Sequence, residues 1–342
     1  MTACDLTLLS PRHLAITFLF NQIEPPDFSS TLTYAVLGPC DQNRLAKLRA
    51  ACPQAHLTHF ATVDDANAGD DHVGIDVLVI GELWSRIDAT ARTAMSQAIN
   101  AKLAPEGIVI LEYDTMPGAA MAAVVERLTL FNKAADQKGD IEFATRVRDS
   151  RSNFFAVNPQ AQSALAAFQG TTTAPAAGYP VSFRSAASEL SAIGLEYAGP
   201  VRLADAIPRF NFSKTAAKIL TDEPDLILRE TYKDFFLNRA RRWDMFARNP
   251  QRIDPQAAAQ RIAAMPFVTT ADSSAIETAT LQTAFADIKL NDAAKHVFAG
   301  LAQGPASALE LAQRNAPGCE NVWASVDSIL VLLAMNVIAP VP

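Results

Sequence analysis

The sequence predicts an α/β protein with a mainly parallel sheet, followed by a helical segment and a small winged-helix-like C-terminal unit. Two continuous apolar runs, at 32–37 and 75–81, have the composition of strands covered on both faces. Helical patterns separate them from each other and from a third run at 107–113, the spacing of crossover units. From Ser213 onward the apolar periodicity is almost wholly helical.

Taken in order, Ser10-Pro11 opens a helix with a capping hydroxyl and a proline in the first turn. Leu14, Phe18 and Leu19 share its face, and it ends before Glu24-Pro25-Pro26-Asp27. After the strand at 32–37, Asp41 caps a helix presenting Leu45, Leu48 and Ala51. Residues 56–62 form a second strand, and 63–74, acidic and without period, a loop. The strand at 75–81 leads to a helix at 88–103 capped by Asp88, then a strand at 107–113 and a helix at 118–135. The composition break at 169–180 (QGTTTAPAAGYP) is a linker, placed at the end of a helical insertion spanning about 131–181. A helix at 185–193 closes at Gly194, and 195–203 is the next strand. Residues 228–248 read as one long helix burying Tyr232, Phe235, Phe236, Trp243 and Phe246 along a single face. The tail from 290 to 341 gives three apolar helical stretches and a β-like end, Val337-Ile338-Ala339. The expected domains are 1–212 (α/β), 213–280 (helical) and 281–342 (winged-helix-like).

Composition bounds the function. A chain of 342 residues with 49% apolar content supports two or three cores. Its net charge of −7 argues against a general nucleic-acid binder, which needs a basic face to displace phosphate counterions. No apolar run reaches the roughly 18–20 residues that span a bilayer. Met1-Thr2-Ala3-Cys4-Asp5 lacks a secretion signal's charged n-region, and Cys4, Cys40, Cys52 and Cys319 form no CxxC pair. The expectation is a cytoplasmic protein with reduced thiols.

Chemistry is expected at the C-terminal ends of the strands, where open α/β sheets bind ligands. The first strand runs into Leu37-Gly38-Pro39-Cys40-Asp41, a loop with one glycine and a proline that removes an amide donor. Glu82, Trp84, Tyr113, Asp114 and Thr115 also fall at strand ends. Each has a plainer alternative. Trp84 is a pocket wall or a core residue, and Asp114 or Thr115 orients an acceptor or caps the Pro117-Gly118 turn. Cys52, His56 and His59 have metal-ligand spacing, but residues three apart on a strand face opposite ways. The acidic run at 65–71 lacks the glycine and closing glutamate positions of a calcium loop. Arg239, Arg241 and Arg242 form a docking site between domains or a solvated helix face with local ion pairs.

Three segments together resemble the bacterial class I S-adenosylmethionine-dependent methyltransferases that carry a methyltransferase regulatory domain, a group that includes protein-lysine methyltransferases. They are Asp76-Val77-Leu78-Val79-Ile80-Gly81-Glu82-Leu83-Trp84-Ser85, then Glu112-Tyr113-Asp114-Thr115-Met116-Pro117-Gly118, then Arg229-Glu230-Thr231-Tyr232-Lys233-Asp234-Phe235 with Asn238-Arg239 and Arg242. The second is similar to that family's Tyr-Asn-Thr-x-Pro-Gly signature, with Asp114 in place of Asn. The resemblance implies a Rossmann-like methyltransferase domain and S-adenosylmethionine as cofactor. It places Gly38, Asp41, Glu82 and Trp84 on the cofactor side and Tyr113 and Asp114 as catalytic candidates. A protein partner or protein substrate is implied, homo- and hetero-oligomers both being open.

Two departures set the functional expectation. The family's glycine-rich loop is reduced to Gly38-Pro39-Cys40-Asp41. Residues 38 to 75 provide 38 positions, where two helices, two strands and their loops need roughly 50. One strand-helix pair, with the acid that binds the cofactor's ribose, is expected to be missing; His59, Asp64 and Asp65 lie nearest that position. The expected function is a methyltransferase-like partner or regulator with an eroded cofactor site. The alternative is an active methyltransferase, with nucleic-acid contact through a tail carrying only Lys289, Lys295 and Arg314 ranked last.

Overall fold

A six-stranded sheet organises the computed structural model, whose described residues are 6–68, 73–131, 141–169, 178–283, 287–314, 316 and 318–341. A 3-10 turn, Leu6–Leu9, precedes α1 (Pro11–Phe20), whose first turn is capped by the Ser10 hydroxyl accepting from the His13 amide at 3.3 Å. After β1 (Thr33–Leu37), the Asp41 carboxylate accepts from the Arg44 amide at 2.8 Å and starts α2 (Gln42–Ala51). Then come β2 (His56–Phe60) and α3 (Val63–Ala68). This short helix replaces the first half of the loop expected at 63–74. Thr62 and Asp65 cap each other, side chain to amide, at 2.9 and 3.1 Å, and residues 69–72 lie outside the described residues.

Next are β3 (Ile75–Ile80), a 3-10 turn Glu82–Ser85, α4 (Ala89–Lys102) capped by Asp88, and β4 (Leu103–Asp114). A helical excursion follows: α5 (Ala120–Phe131), α6 (Ile141–Asp149), α7 (Asn153–Val157) and α8 (Pro159–Gln169). Its core is Val125, Ala144, Phe155, Ala161 and Leu165. The expected linker falls mostly at 170–177, outside the described residues. The chain returns through α9 (Phe183–Ser191) and β5 (Leu195–Pro200). It then forms α10 (Leu203–Ala206), α11 (Pro208–Asn211), α12 (Lys214–Asp222), α13 (Leu226–Leu237) and β6 (Arg241–Arg248).

The strand order is β2-β1-β3-β4-β6-β5. Strands β1 to β4 pair in parallel, and β6 runs antiparallel between β4 and β5. Between β1 and β3 the described residues hold α2, β2 and α3, one strand where the family pattern needs two. Both helices are present, so of the strand-helix pair expected to be missing the described residues lack only the strand, at the β2 edge of the sheet. Alternation along the strands divides the core. Tyr34, Val79, Ile110, Trp243 and Met245 face α1 and α2, whereas Ala35, Leu78, Leu111, Tyr113 and Phe246 face α4, α9 and α13.

The single long helix expected over 228–248 does not form. Helix α13 ends at Leu237 because Asn238 adopts the left-handed conformation (φ 44°) that asparagine tolerates better than most residues. The chain then enters β6 as a strand. Tyr232, Phe235 and Phe236 are 37%, 65% and 45% exposed instead of buried. Trp243 and Phe246 are buried, but an odd spacing on a strand puts them on opposite faces of the sheet.

The C-terminal part contains α14 (Pro255–Ala264), β7 (Phe267–Thr269), α15 (Ser273–Ile276), the hairpin β8 (Thr280–Gln282) and β9 (Asp287–Lys289), then α16 (Asp292–Leu301), α17 (Ala308–Gln313), α18 (Val322–Ala334) and β10 (Ile338–Pro340). The three expected helical stretches and the β-like end are α16, α17, α18 and β10. Strand β10 pairs antiparallel with β7, so the tail finds its strand partner before residue 281. Val297, Phe298, Ile329 and Leu332 pack there with Ile16 and Leu19 of α1.

Because Trp243 is 4% exposed in the interior of a central strand, Trp243→Ala should cost about 3–5 kcal/mol in urea unfolding. A loss below about 1 kcal/mol would place that indole outside the core.

Candidate functional site

Strand β6 begins with two arginines, and the pleat sends them to opposite faces at the C-terminal edge of the parallel strands. The Arg242 side chain is fully buried. Its guanidinium donates to Asp244 (2.6 Å), Asp234 (2.7 Å), Glu230 (3.1 Å) and the Tyr197 hydroxyl (3.3 Å), and stacks 4.2 Å from the Phe183 ring centroid. The Tyr113 hydroxyl donates to Asp244 at 2.9 Å. Lys233 pairs with Glu230, and Arg239 lies 3.6 Å from Asp234. Burial pulls the Arg242 pKa down, but Asp244, Tyr113 and Asp234 more than offset it and hold the pKa well above the ordinary value. This cluster fastens α13 to the sheet.

On the other face Arg241 bridges Glu82 (2.8 Å), Asp114 (3.0 Å) and Glu112 (3.3 Å). Arg44 from α2 reaches Glu112 at 3.3 Å. Arg86 reaches Glu126 at 3.0 Å, Asp114 at 3.4 Å and Glu82 at 3.7 Å. Four carboxylates from three segments thus share three guanidinium groups. Burial pushes the Glu112 carboxyl above its usual range, against the pull of Arg241 and Arg44. It does the same to Glu126, against Arg86.

The loop after β1 is held by protein groups. Gly38 has φ +108°, a conformation that disfavours a side chain, and a Cβ there would stand 3.2 Å from the Leu83 Cβ. Leu83 lies over the glycine. The Gly38 carbonyl accepts from His59 Nε2 at 2.9 Å, and its amide donates to Phe60 O at 2.9 Å.

The residues singled out in the sequence separate as follows. Gly38 and Glu82 lie at the crevice, one under Leu83 and the other engaged by Arg241 and Arg86. Asp41 is exposed and serves as the α2 cap. Trp84 is 0% exposed and belongs to the apolar core with Leu37, Ile80 and Met95, its core reading. Tyr113 points to the Arg242 cluster and Asp114 to Arg241, so the two catalytic candidates sit on opposite faces. Cys52, whose Sγ contacts Leu9 O at 3.6 Å, and His59 flank opposite ends of β2 and do not converge. The local ion pairs of a solvated helix face, which would join Asp244 to Arg241 and Arg248, do not form, because residues three or four apart on a strand are not neighbours.

The Tyr113-Asp114-Thr115-Met116-Pro117-Gly118 motif is where the regulatory segment lands. The Thr115 amide donates to Ala240 O at 2.9 Å and the Gly118 amide to Arg239 O at 3.0 Å. The Thr115 hydroxyl donates to Val181 O at 2.8 Å and is not a cap of the turn. A Cβ on Gly118 would meet Asn238 O at 2.2 Å, Arg239 C at 2.5 Å and Ala240 N at 2.6 Å. Glycine is required there by backbone approach.

Sequence reasoning missed Arg44, Arg86 and Glu126. Glu82 and Arg86 at i, i+4 were a visible pairing signal, and Glu112 with Asp114 at i, i+2 marks one strand face. Arg44 and Glu126 leave no such local trace, since their partners lie 68 and 40 residues away.

Comparison with known proteins matches this geometry to a class. A family model described as a predicted methyltransferase regulatory domain matches residues 176–248, from before α9 through β6. An uncharacterized protein of Synechocystis sp. is 25% identical over 300 residues, covering 76% of this chain. The chain spans 59% of that relative's length. The structure of PKMT2 from Rickettsia typhi superposes with a TM-score of 0.66 at 14% identity, covering 99% of this chain and 76% of that one. The same protein in complex with AdoHcy gives a TM-score of 0.64 at 14% identity, over 98% and 76% of the two chains. The protein therefore has the Rossmann-like methyltransferase fold, and its residues 176–248 match the regulatory-domain model, in line with the motif resemblance.

Two substitutions test the docking. Arg242→Ala leaves three buried carboxylates without their shared cation and should lower stability by about 3–5 kcal/mol; a change below about 1 kcal/mol would contradict the cluster's role. Gly118→Val should destabilise by at least about 1–3 kcal/mol through forced separation of the turn from 238–240. An unchanged melting temperature would show that the backbones do not touch.

Proposed function

We propose that this methyltransferase-like protein no longer grips S-adenosylmethionine at its strand ends and works as a non-catalytic regulator or partner subunit. The observation that supports this most is the Arg241 guanidinium, which bridges Glu82, Glu112 and Asp114 at the C-terminal ends of β3 and β4. A cofactor needs a flexible glycine loop for close approach, a carboxylate free for its ribose, and unengaged groups around its charge. Here Leu83 covers Gly38, and the strand-end acids are already neutralised. Beyond β2, Asp65 is tied to Thr62. The residues present do not fit the cofactor.

The partner would be a protein, met through the helical segment and the tail of a chain divided near 212 and 280, with β6 joining the sheet and β7 pairing with the tail strand. Among the described residues no helix is long and apolar enough to cross a membrane.

A second reading, an active S-adenosylmethionine-dependent methyltransferase acting on a protein, draws on the fold shared with PKMT2, which was solved with AdoHcy. Cofactor binding separates the two. Titration with S-adenosylhomocysteine should give no saturable heat and no rise in melting temperature up to about 1 mM ligand. A dissociation constant below about 10 μM would favour the enzyme.

A further inference from the structure

On the far side of Arg241 from the carboxylate network lies a cavity of about 270 Å³, between the α13–β6 junction and α10–α11. Arg202, Asp205, Asn211, Arg239, Arg241 and Thr283 supply its polar lining, three guanidinium groups against one carboxylate. Arg241 is committed to its three acids. The Arg239 side chain is only 10% exposed, yet its guanidinium makes no hydrogen bond among the described residues. It forms long ion pairs with Asp234 at 3.6 Å and Asp205 at 4.0 Å, both beyond hydrogen-bond reach for a planar group with five donors. Arg202, exposed at the rim, has no ion-pair partner among the described residues. The Arg239 donors are not sealed from solvent, so the cavity leaves them open to the oxygens of a ligand.

We propose that this cavity is an anion site that takes a phosphate group, either free or as the monoester of a small molecule. Arginine pairs match phosphate oxygens bidentately, and Arg239 and Arg202 stand on one cavity wall each. The volume lies just below the roughly 300–1,000 Å³ of pockets for drug-sized ligands, so the phosphate can carry only a short substituent. Asp205 lets the site discriminate, since its carboxylate accepts a hydroxyl from a monoester and repels a bulkier polyanion. The protein's overall charge of −7 makes attraction local and not a general basic field. The proposal does not depend on whether the strand-end crevice binds a cofactor, because phosphate binding is read without any S-adenosyl ligand.

The test is calorimetric titration of the full chain with inorganic phosphate and, separately, glycerol phosphate, each at low ionic strength and again with added chloride. Saturable binding that survives moderate chloride is expected, falling about tenfold or more in Arg239→Ala. Arg202→Ala, an exposed change that leaves the melting temperature unaltered, should weaken it about threefold or more, which keeps the test valid if the Arg239 variant does not fold. Tighter binding of glycerol phosphate assigns the monoester as ligand, and equal or weaker binding assigns free phosphate. No saturation by either anion up to about 20 mM, or binding indifferent to both substitutions, would overturn the proposal.

Discussion

Two consecutive side chains, Arg241 and Arg242, set the character of this molecule. They start an antiparallel strand wedged between β4 and β5, so pleating alone sends one to each face of the sheet. Arg242 gathers Glu230, Asp234 and Asp244 in the interior and holds α13 against the sheet. Such a cluster adds little net stability compared with an apolar core, because desolvating the charges offsets most of their attraction. Its effect is on specificity. The charges are satisfied with β6 in this register and α13 in this place, which ties together the helix, its left-handed exit at Asn238 and the strand.

Arg241 does the corresponding work at the strand ends. It ties the loop after β3 to the end of β4, while Arg86 links the same acids to α5 and Arg44 brings in α2. Leu83 lies against Gly38 between β1 and β3, and the charged groups at the ends of β3, β4 and β6 pair with one another. Releasing them for a ligand means separating Arg241 from three carboxylates at once. The motif at 113–118, read in isolation as a candidate catalytic turn, acquires a different physical meaning. Its threonine and glycine receive the backbone of 239–240, and its tyrosine and aspartate feed the two arginine networks.

Much of this was legible from the chain alone, for stated reasons. The strands at 32–37, 75–81 and 107–113 are apolar on both faces, and Ser10, Asp41 and Asp88 announce their helices through side chains that accept amide protons. The missing strand followed from counting residues 38 to 75. The long helix at 228–248 failed because its aromatic spacing fits two periods. Tyr232, Phe235 and Phe236 obey a helix but look outward, and Trp243 and Phe246 obey a strand. The breaker was Asn238, a weak signal beside glycine or proline. Once β6 was lost to a helix, the register that brings Arg241 opposite Asp114 could not be foreseen, and with it the strand-end network.

The proposed loss of the cofactor grip requires the strand-end charges to stay paired in the presence of the ligand. The most direct measurement is a crystal structure of the protein grown with S-adenosylhomocysteine in large excess. The account predicts Arg241 still bridging Glu82 and Asp114, Leu83 still over Gly38, and no adenosyl density between β1 and β3. An adenosine seated on the β1 loop, with Leu83 displaced and Arg241 turned away from the acids, would contradict it.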